Sequence, residues 1–332
     1  MSNPDIAAFE QIAEKLTQAQ GMIARRIIGQ TRVVDETLTA ILCGGHGLLV
    51  GAPGLAKTRL VEVMGVVLGL NSNRVQFTPD LMPADILGAE VLETAADGAR
   101  AFRFIEGPIF CQLLMADEIN RASPRTQSAL LQAMQEHHVS VAGKRRDLPS
   151  PFHVLATQNP IEQEGTYPLP EAQLDRFLLQ IDVDYPDRDA ERDILLATTG
   201  VEDSEVSAVF DAAGLIEAQT AVRRMPIGES IVELILDLVR AARPGEGASD
   251  LVNNSVSWGP GPRAAQALSL AVRARALMDG RFAPNADDIA ALAHPVLKHR
   301  MALGFAARAE GLTVDKLITT LIDQVLGEGS SA

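Results

Sequence analysis

The chain has 332 residues, a formal net charge of −14, 47% hydrophobic residues and only 4% aromatic residues. This composition is typical of a globular protein with a sizeable core, and the length fits one large domain followed by a smaller one. The negative charge and the few aromatic side chains disfavour broad binding to nucleic acid or to an anionic membrane surface. Two cysteines far apart in sequence, and no apolar stretch long enough to cross a bilayer, predict a cytoplasmic protein without membrane insertion.

The most informative segment is a short apolar strand pattern at residues 47–50 that runs into a glycine-containing loop. The loop reads Gly51, Ala52, Pro53, Gly54, Leu55, Ala56, Lys57 and Thr58, and apolar residues follow it at helical spacing. Backbone N–H groups of such a loop, and of the helix that follows, point at phosphate oxygens. Lys57 would add a positive charge at the β- and γ-phosphates, and the Thr58 hydroxyl would ligate Mg²⁺. The segment therefore predicts a nucleotide as the first ligand to consider.

Ala56 departs from the usual loop pattern, which has glycine before the lysine. If the backbone there adopts a positive φ, alanine costs about 1–2 kcal/mol, whereas a right-handed or extended conformation costs little. The alternative interpretation of the whole segment is a glycine-rich turn that happens to precede a lysine.

Apolar runs alternate with helical patterns in the first half of the chain, which predicts an α/β fold with a parallel sheet flanked by helices. The candidate core strands are Gly47–Val50, Leu113–Ala116, His153–Thr157 and Phe177–Val183. The segment from Arg74 to Phe110 interrupts this order and is interpreted as an insertion. After residue 186 the pattern is helical, so we predict an α/β domain at 1–186 and a helical domain at 187–332.

Two local signals in the second half predict where helices begin. Ser230 and Glu233 form a capping-box pattern at the start of one apolar stripe, and Pro262 predicts the start of a second helix. The Pro-, Gly- and Asn-rich segment 243–262 is interpreted as a long connector between them.

Two adjacent carboxylates, Asp117 and Glu118, follow the apolar run at 113–116. Asp117 would hold Mg²⁺ through water or order the Thr58 hydroxyl, and Glu118 would polarise the water that attacks the γ-phosphate. The alternative is that the pair caps the next helix, but Ser123 followed by proline supplies that cap better.

Three further polar residues are candidates for the same chemistry. Asn159 ends another apolar run and would orient the attacking water or contact the γ-phosphate, although Asn-Pro alone more often marks a plain turn. Arg176 precedes the last core strand as an exposed arginine with no obvious partner in its own chain. It is either an arginine finger that acts across a subunit interface or a partner in an intramolecular salt bridge. Arg263, at the start of a helix, is either a second anion site or a plain surface charge.

Together these segments resemble the MoxR family of AAA+ ATPases, and the resemblance spans nearly the whole chain in the family's order. The residues that carry it are Ile28-Gly29-Gln30, the loop 51–58, Glu106–Phe110, Ala116–Ala122, Thr126–Met134, Ala156–Pro160 and Glu164–Phe177. The family often has Leu-Ala-Lys-Thr in the loop, as this chain does. Around Arg263 the chain has Gly-Pro-Gly-Pro-Arg, which differs slightly from the Gly-Ala-Ser-Pro-Arg associated with the family.

The resemblance implies an AAA+ P-loop NTPase core with a helix-2 insertion at 78–105 and a hairpin at 139–152, followed by a smaller all-α lid domain. It implies that Asn159 is sensor 1, that Arg176 is the arginine finger and that Arg263 is sensor 2. The implied catalytic residues are Lys57, Asp117, Glu118, Asn159, Arg176 and Arg263, and the implied Mg²⁺ ligands are Thr58 and Asp117. The implied nucleotide-binding residues are Ile28 and Gly29 at the adenine, with Gly51, Ala52, Pro53, Gly54, Leu55, Ala56, Lys57, Thr58, Arg59 and Arg263.

The resemblance further implies that the chain binds ATP and ADP with Mg²⁺ and hydrolyses ATP as a homo-oligomer, expected to be a ring of six. Relatives resemble chaperones that help other proteins to mature, often metal- or cofactor-dependent ones, with a partner that carries a von Willebrand factor A domain. The alternatives are a nucleotide-gated assembly scaffold, a DNA-acting motor and a magnesium-chelatase-like motor subunit. The residues do not choose between remodeller and scaffold, whereas the net charge disfavours the DNA motor.

Overall fold

The structure is a computed structural model that describes residues 3–94, 100–161, 165–199 and 205–328. Its strands are β1 (Gly47–Gly51), β2 (Ser72–Gln76), β3 (Gly88–Thr94), β4 (Arg100–Glu106), β5 (Leu113–Asp117), β6 (His138–Val141), β7 (Lys144–Asp147), β8 (His153–Gln158), β9 (Leu179–Val183), β10 (Val256–Trp258) and β11 (Ala302–Leu303). Five of them form one parallel sheet in the order β2-β5-β8-β1-β9. The predicted α/β fold with a parallel sheet is confirmed.

Helices flank this sheet and make up most of the second half of the chain. They are α1 (Asn3–Ala24), α2 (Thr31–Leu42), α3 (Lys57–Val67), α4 (Pro83–Leu87), α5 (Pro124–Glu136), α6 (Glu171–Leu174), α7 (Arg188–Thr199), α8 (Ala212–Arg224), α9 (Glu229–Ala241), α10 (Asp250–Ser255), α11 (Pro262–Met278), α12 (Ala286–Leu297), α13 (Phe305–Ala309) and α14 (Val314–Glu328). The helical second region is confirmed, with the addition of a small antiparallel ribbon of β10 and β11. Within the described ranges, no helix combines the length and the apolar character needed to cross a membrane.

Strand β2, at the edge of the sheet, is absent from the four strands predicted from the sequence. It overlaps the segment from Arg74 that was interpreted as an insertion, and that part of the interpretation is wrong. Only Val75 of its five residues is buried, so the strand has no apolar run. Because Val75 lies opposite Ala116 in the register, β2 places Arg74 and Gln76 beside the carboxyl end of β5.

Two antiparallel hairpins, β3–β4 and β6–β7, lie outside the central sheet. The first falls in the predicted insertion at 78–105, of which residues 95–99 lie outside the described part of the chain. The Arg146 guanidinium lies 3.7 Å from the centre of the Phe104 ring and 3.6 Å from the Glu90 carboxylate. These contacts join the β6–β7 hairpin to the β3–β4 hairpin.

The apolar core consists of two clusters of buried side chains. One cluster unites α1, α2 and α3 with the helices of the second region, and the other includes α5 and side chains of the β5 and β8 strands. Phe9 of α1, a member of the first cluster, also stacks on the more exposed Phe282, with ring centroids 4.6 Å apart. Because the two ends of the chain share this core, the division into domains at residue 186 stays a prediction. Residues 200–204 and 329–332 of the predicted second domain lie outside the described ranges.

Two of the local predictions hold and two fail. The predicted helix start at Pro262 is confirmed, because α11 begins there. Ser123 caps α5 as predicted, with its side chain accepting from a backbone N–H of the first turn. The predicted capping box at Ser230 and Glu233 is wrong, because α9 already begins at Glu229 and has no side-chain cap. The interpretation of 243–262 as a connector is wrong where α10 and β10 occupy it.

Candidate functional site

The loop that follows β1 leads directly into α3, which is the strand-loop-helix order that the sequence predicts. Ala56, the last loop residue, has φ 56° and ψ 18°, in the left-handed region. The alanine therefore bears the cost of about 1–2 kcal/mol that this conformation imposes on a residue with a Cβ. Backbone strain of this kind persists where the surrounding structure maintains it, and it is concentrated at functional sites.

Lys57, the first residue of α3, folds back onto the loop. Its Nζ donates to the carbonyl oxygens of Gly51 at 2.7 Å and Ala52 at 2.6 Å. Partial burial lowers the pKa of Lys57, and the charges of Asp117 and Glu118 act in the opposite direction. The ammonium is thus held at the mouth of the loop, close to the carboxylates that follow β5.

Asp117, the last residue of β5, is 8% exposed and has a partner at each carboxylate oxygen. One oxygen accepts from the Thr157 hydroxyl at 2.6 Å. The other accepts from Arg74, at 2.6 Å from Nη2 and 3.2 Å from Nε. Neither Thr157 nor Arg74 was predicted as a site residue, since the first lies inside an apolar run and the second on the unpredicted strand β2.

Glu118 leaves the strand direction, with φ 56° and ψ 51° in the left-handed region. Its backbone N–H donates to the Thr157 hydroxyl at 2.8 Å. Its carboxylate accepts from Gln76 at 2.7 Å and from Arg121 at 2.9 Å. The Thr157 hydroxyl therefore bonds to Asp117 and to Glu118 at once and fixes the two residues relative to each other.

Asn159 follows β8 and is 5% exposed, with its side-chain oxygen accepting from the Ile161 N–H at 3.1 Å. It lines a pocket of about 350 Å³ between the loop and the carboxyl ends of β5 and β8. The pocket is lined by Pro53, Gly54, Leu55, Ala56, Lys57, Thr58, Arg59, Asp117, Glu118, Thr157 and Asn159. Hydroxyl and carboxylate oxygens suit Mg²⁺, and a lysine at a helix N-terminus suits phosphate, so these residues fit a magnesium nucleotide.

A second pocket, also of about 350 Å³, shares loop residues 53–56 and Arg59 with the first. Its other lining residues are Arg25, Arg26, Ile27, Ile28, Gln30, Tyr185, Pro186, Glu191, Ile194, Ala197 and Thr198. Gly29 has φ +73°, and a Cβ at this position would lie 2.5 Å from the Ala190 Cβ, so α7 packs closely on this glycine. The two pockets meet at the loop, as the base and phosphate parts of one nucleotide require.

Comparison with known proteins shows which family shares this sequence and geometry. A model of the ATPase family associated with various cellular activities (AAA) matches residues 46–179, and a model of the AAA lid domain matches residues 248–321. Chaperone MoxR1 of Mycobacterium tuberculosis is 40% identical over 91% of this chain and 80% of its own length. Protein MoxR of Paracoccus denitrificans is 30% identical over 93% of this chain and 94% of its own length. The chain belongs to the MoxR family of AAA+ ATPases.

A solved structure supports the same conclusion for the fold of this MoxR-family chain. It is an ATPase candidate from Cytophaga hutchinsonii, 34% identical in sequence, with a TM-score of 0.87 over 95% of this chain and 96% of the other. As a chaperone-like AAA+ ATPase, the chain is an enzyme that hydrolyses ATP to ADP and phosphate. The family uses nucleotide, typically with Mg²⁺, which agrees with the oxygen and lysine chemistry of the first pocket.

Two predicted site residues, Arg176 and Arg263, lie away from both pockets of the MoxR-family fold. Arg176 comes just before β9 and so lies at the amino edge of the sheet, whereas Lys57 and Asp117 lie at the carboxyl edge. A strand of five residues separates these edges by about 16 Å, at about 3.3 Å per residue. Arg263 lies at the amino edge too, since its guanidinium is 3.6 Å from the Asp175 carboxylate.

The surroundings of these two arginines differ from the expectation. Arg176 is half-buried and donates to the Leu131 carbonyl at 2.6 Å, so the prediction of an exposed side chain with no partner in its own chain is wrong. Arg263 remains 53% exposed. Both line a third pocket, of about 260 Å³, and within one chain they do not meet the phosphate-binding loop. The structure thus groups the predicted residues into a carboxyl-edge set and an amino-edge pair.

Proposed function

We propose that this ATPase works as a chaperone-like ring in which each nucleotide site is completed by the neighbouring subunit. The observation that carries the proposal is the placement of Lys57 and Glu118 at one edge of the sheet and of Arg176 and Arg263 at the other. A head-to-tail ring, expected to contain six identical subunits, would bring each amino edge against the next carboxyl edge.

Within one chain, the roles follow from the chemistry of the first pocket. The loop N–H groups and Lys57 would hold the phosphates, while Thr58 and Asp117 would hold Mg²⁺. When bound, the ion neutralises the negative charge on the phosphate oxygens. Glu118 accepts a proton from the attacking water, and Asn159 orients that water.

The second pocket takes the base and ribose in this proposal. Ile28 supplies apolar surface to the adenine, and Gly29 allows α7 to close over the pocket because a larger residue would clash with Ala190. Arg59 lines both pockets, where its charge favours the anionic part of the nucleotide.

The amino-edge pair acts on the nucleotide of the next subunit. Arg176 would stabilise the charge that develops on the γ-phosphate, and fingers of this kind contribute about 10³–10⁵-fold to turnover. Arg263 would contact the same phosphate from the helical region, which would couple hydrolysis to movement of that region. An isolated subunit then lacks two cations of its site and hydrolyses ATP slowly.

The output we propose is remodelling or maturation of protein complexes, including metal or cofactor insertion, in the cytoplasm. The client would meet the two hairpins, and a partner with a von Willebrand factor A domain would deliver it. The net charge of −14 favours a protein client over nucleic acid.

The test measures ATP turnover against protein concentration, with light scattering on the same samples, for the wild type and Arg176→Ala. We expect specific activity to rise with assembly, and Arg176→Ala to assemble without hydrolysing. If ATP turnover per subunit does not change with protein concentration or with the Arg176→Ala substitution, the shared site is wrong and each chain is a self-contained ATPase.

A further inference from the structure

The geometry points to Asp175 and Arg300 as positioning residues that hold Arg176 and Arg263 together as one unit facing the neighbouring subunit. This inference rests on the proposed function, because it assigns the pair a role in hydrolysis by another chain. Neither Asp175 nor Arg300 lines the phosphate pocket, and Arg300 is only 2% exposed. Their contribution therefore acts through the two arginines that they hold.

Arg300 belongs to the helical region, but its side chain is buried against the segment that precedes β9. Its Nε donates to the Asp175 carboxylate at 2.7 Å. Its Nη2 donates to the Phe177 carbonyl at 2.7 Å and its Nη1 to the Leu178 carbonyl at 3.1 Å. A further bond from Nη1 to the Val296 carbonyl, at 2.5 Å, ties the guanidinium to α12. One side chain thus fastens the helical region to the segment that carries Arg176.

These bonds immobilise the backbone on both sides of Arg176. The side chain before it, Asp175, and the carbonyl after it, on Phe177, are both bound to Arg300. The Nε2 of His299 adds a bond to the same Phe177 carbonyl at 3.0 Å. Arg176 itself is held by its bond to the Leu131 carbonyl of α5. The position of its guanidinium is therefore set by the anchored segment and by this helix.

Asp175 connects the second arginine to the same anchor. One of its carboxylate oxygens accepts from the buried Arg300, while the other lies 3.6 Å from the exposed Arg263. The Asp175 carboxylate therefore lies between the buried guanidinium of Arg300 and the exposed guanidinium of Arg263. A buried guanidinium needs both a counter-charge and acceptors for its N–H groups, so removing Asp175 would leave Arg300 uncompensated as well as freeing Arg263.

A merely structural clamp between the helical region and the sheet would show the same contacts, so the test must separate the two roles. Glu118→Gln serves as a donor subunit, which keeps its arginines but cannot hydrolyse. Arg176→Ala serves as an acceptor subunit, which keeps its pocket but lacks the finger. Mixed at saturating Mg·ATP, with assembly followed by light scattering, the pair should recover turnover that neither has alone.

Asp175→Asn is then placed in either subunit of this pair. We expect the recovered turnover to fall about tenfold or more when it is in the donor, since displacement of a catalytic group by about 1 Å can cost 10²-fold. In the acceptor, whose finger is already absent, the same substitution should change turnover less than twofold. Glu171→Gln in the donor, an exposed acidic residue of α6, is the matched control and should leave the recovery intact.

The outcomes separate the inference from the proposed function. If the unmodified pair assembles but recovers nothing, the shared site itself is wrong and the inference falls with it. If the pair recovers and Asp175→Asn acts equally in donor and acceptor, or in neither, the positioning role is wrong while the shared site stands.

A second variant covers the case in which Asp175→Asn fails to fold. The double variant Asp175→Ala with Arg300→Met removes both charges, so no buried cation is left unpaired. It should fold, judged by cooperative thermal unfolding, and still fail as a donor. Full competence of the folded double variant as a donor would overturn the inference.

Discussion

Replacing Thr157 by valine preserves the shape of the side chain but removes a hydroxyl that bonds both carboxylate residues of the pocket. Thr157 is fully buried, donates to Asp117 at 2.6 Å and accepts from the Glu118 N–H at 2.8 Å. The lost bond to a charged group is worth about 1.5–3 kcal/mol, and an unsatisfied buried N–H costs about 1–3 kcal/mol. Because the pocket edge can relax, we expect the free energy of unfolding to fall by about 3 kcal/mol.

The assay for this substitution combines urea unfolding with ATP turnover and nucleotide binding. Turnover should fall about tenfold or more because the two carboxylates lose their fixed relation, while nucleotide affinity stays within a few-fold. Thr157→Ser keeps the hydroxyl and should lose only about 1 kcal/mol for the missing methyl group. A Thr157→Val protein that matches Thr157→Ser in both stability and turnover would refute the reasoning.

Three further predictions concern other parts of the molecule. Lys57→Ala should lower ATP turnover by about 10²-fold or more with cooperative unfolding retained, and undiminished turnover would exclude the loop as a phosphate site. Burial lowers the pKa of His46 from 6.5 to about 3, so its neutral form stabilises the fold above pH 6.5 and that contribution is lost as the pH falls toward 3. Urea unfolding at pH 7 and pH 5 should show the wild type losing about 2 kcal/mol more than His46→Gln, and equal losses would contradict this. Combining Glu90→Gln with Arg146→Met removes two contacts between the hairpins, each worth about 0.5–1 kcal/mol. Hydrogen exchange in both hairpins should then accelerate, while basal ATP turnover stays unchanged. Unchanged hydrogen exchange would mean that these contacts do not couple the two hairpins.

The parts of the site that sequence predicts well are those encoded in one contiguous segment. The loop 51–58 carries its strand, turn and helix signals within a few residues, and Asp117 and Glu118 follow an unbroken apolar run. Parallel strands then bring such segments to one edge without further information. For this reason the sequence alone predicts that Lys57, Asp117 and Asn159 share a pocket.

The parts that sequence does not predict depend on pairing and packing between distant segments. Strand β2 has a single buried residue, so its polar side chains Arg74 and Gln76 carry no strand signal, although both bond to the carboxylates. In the sequence, Thr157 is indistinguishable from the other residues of a predicted core strand. The grouping of Arg263 with Arg176 depends on how the helical region docks, which no local pattern specifies.

The stacking of Phe9 on Phe282 has a consequence for how the protein is made. These rings come from near the two ends of the chain, so the first helix cannot complete its packing until most of the chain has left the ribosome. At about 5–20 residues per second, that interval lasts on the order of tens of seconds. Throughout it, the apolar face of α1, including Phe9, Leu16 and Ile23, can pack against α2 and α3 but lacks its partners in the helical second region. During synthesis, this helix should therefore be the main site of nascent-chain aggregation and of chaperone binding.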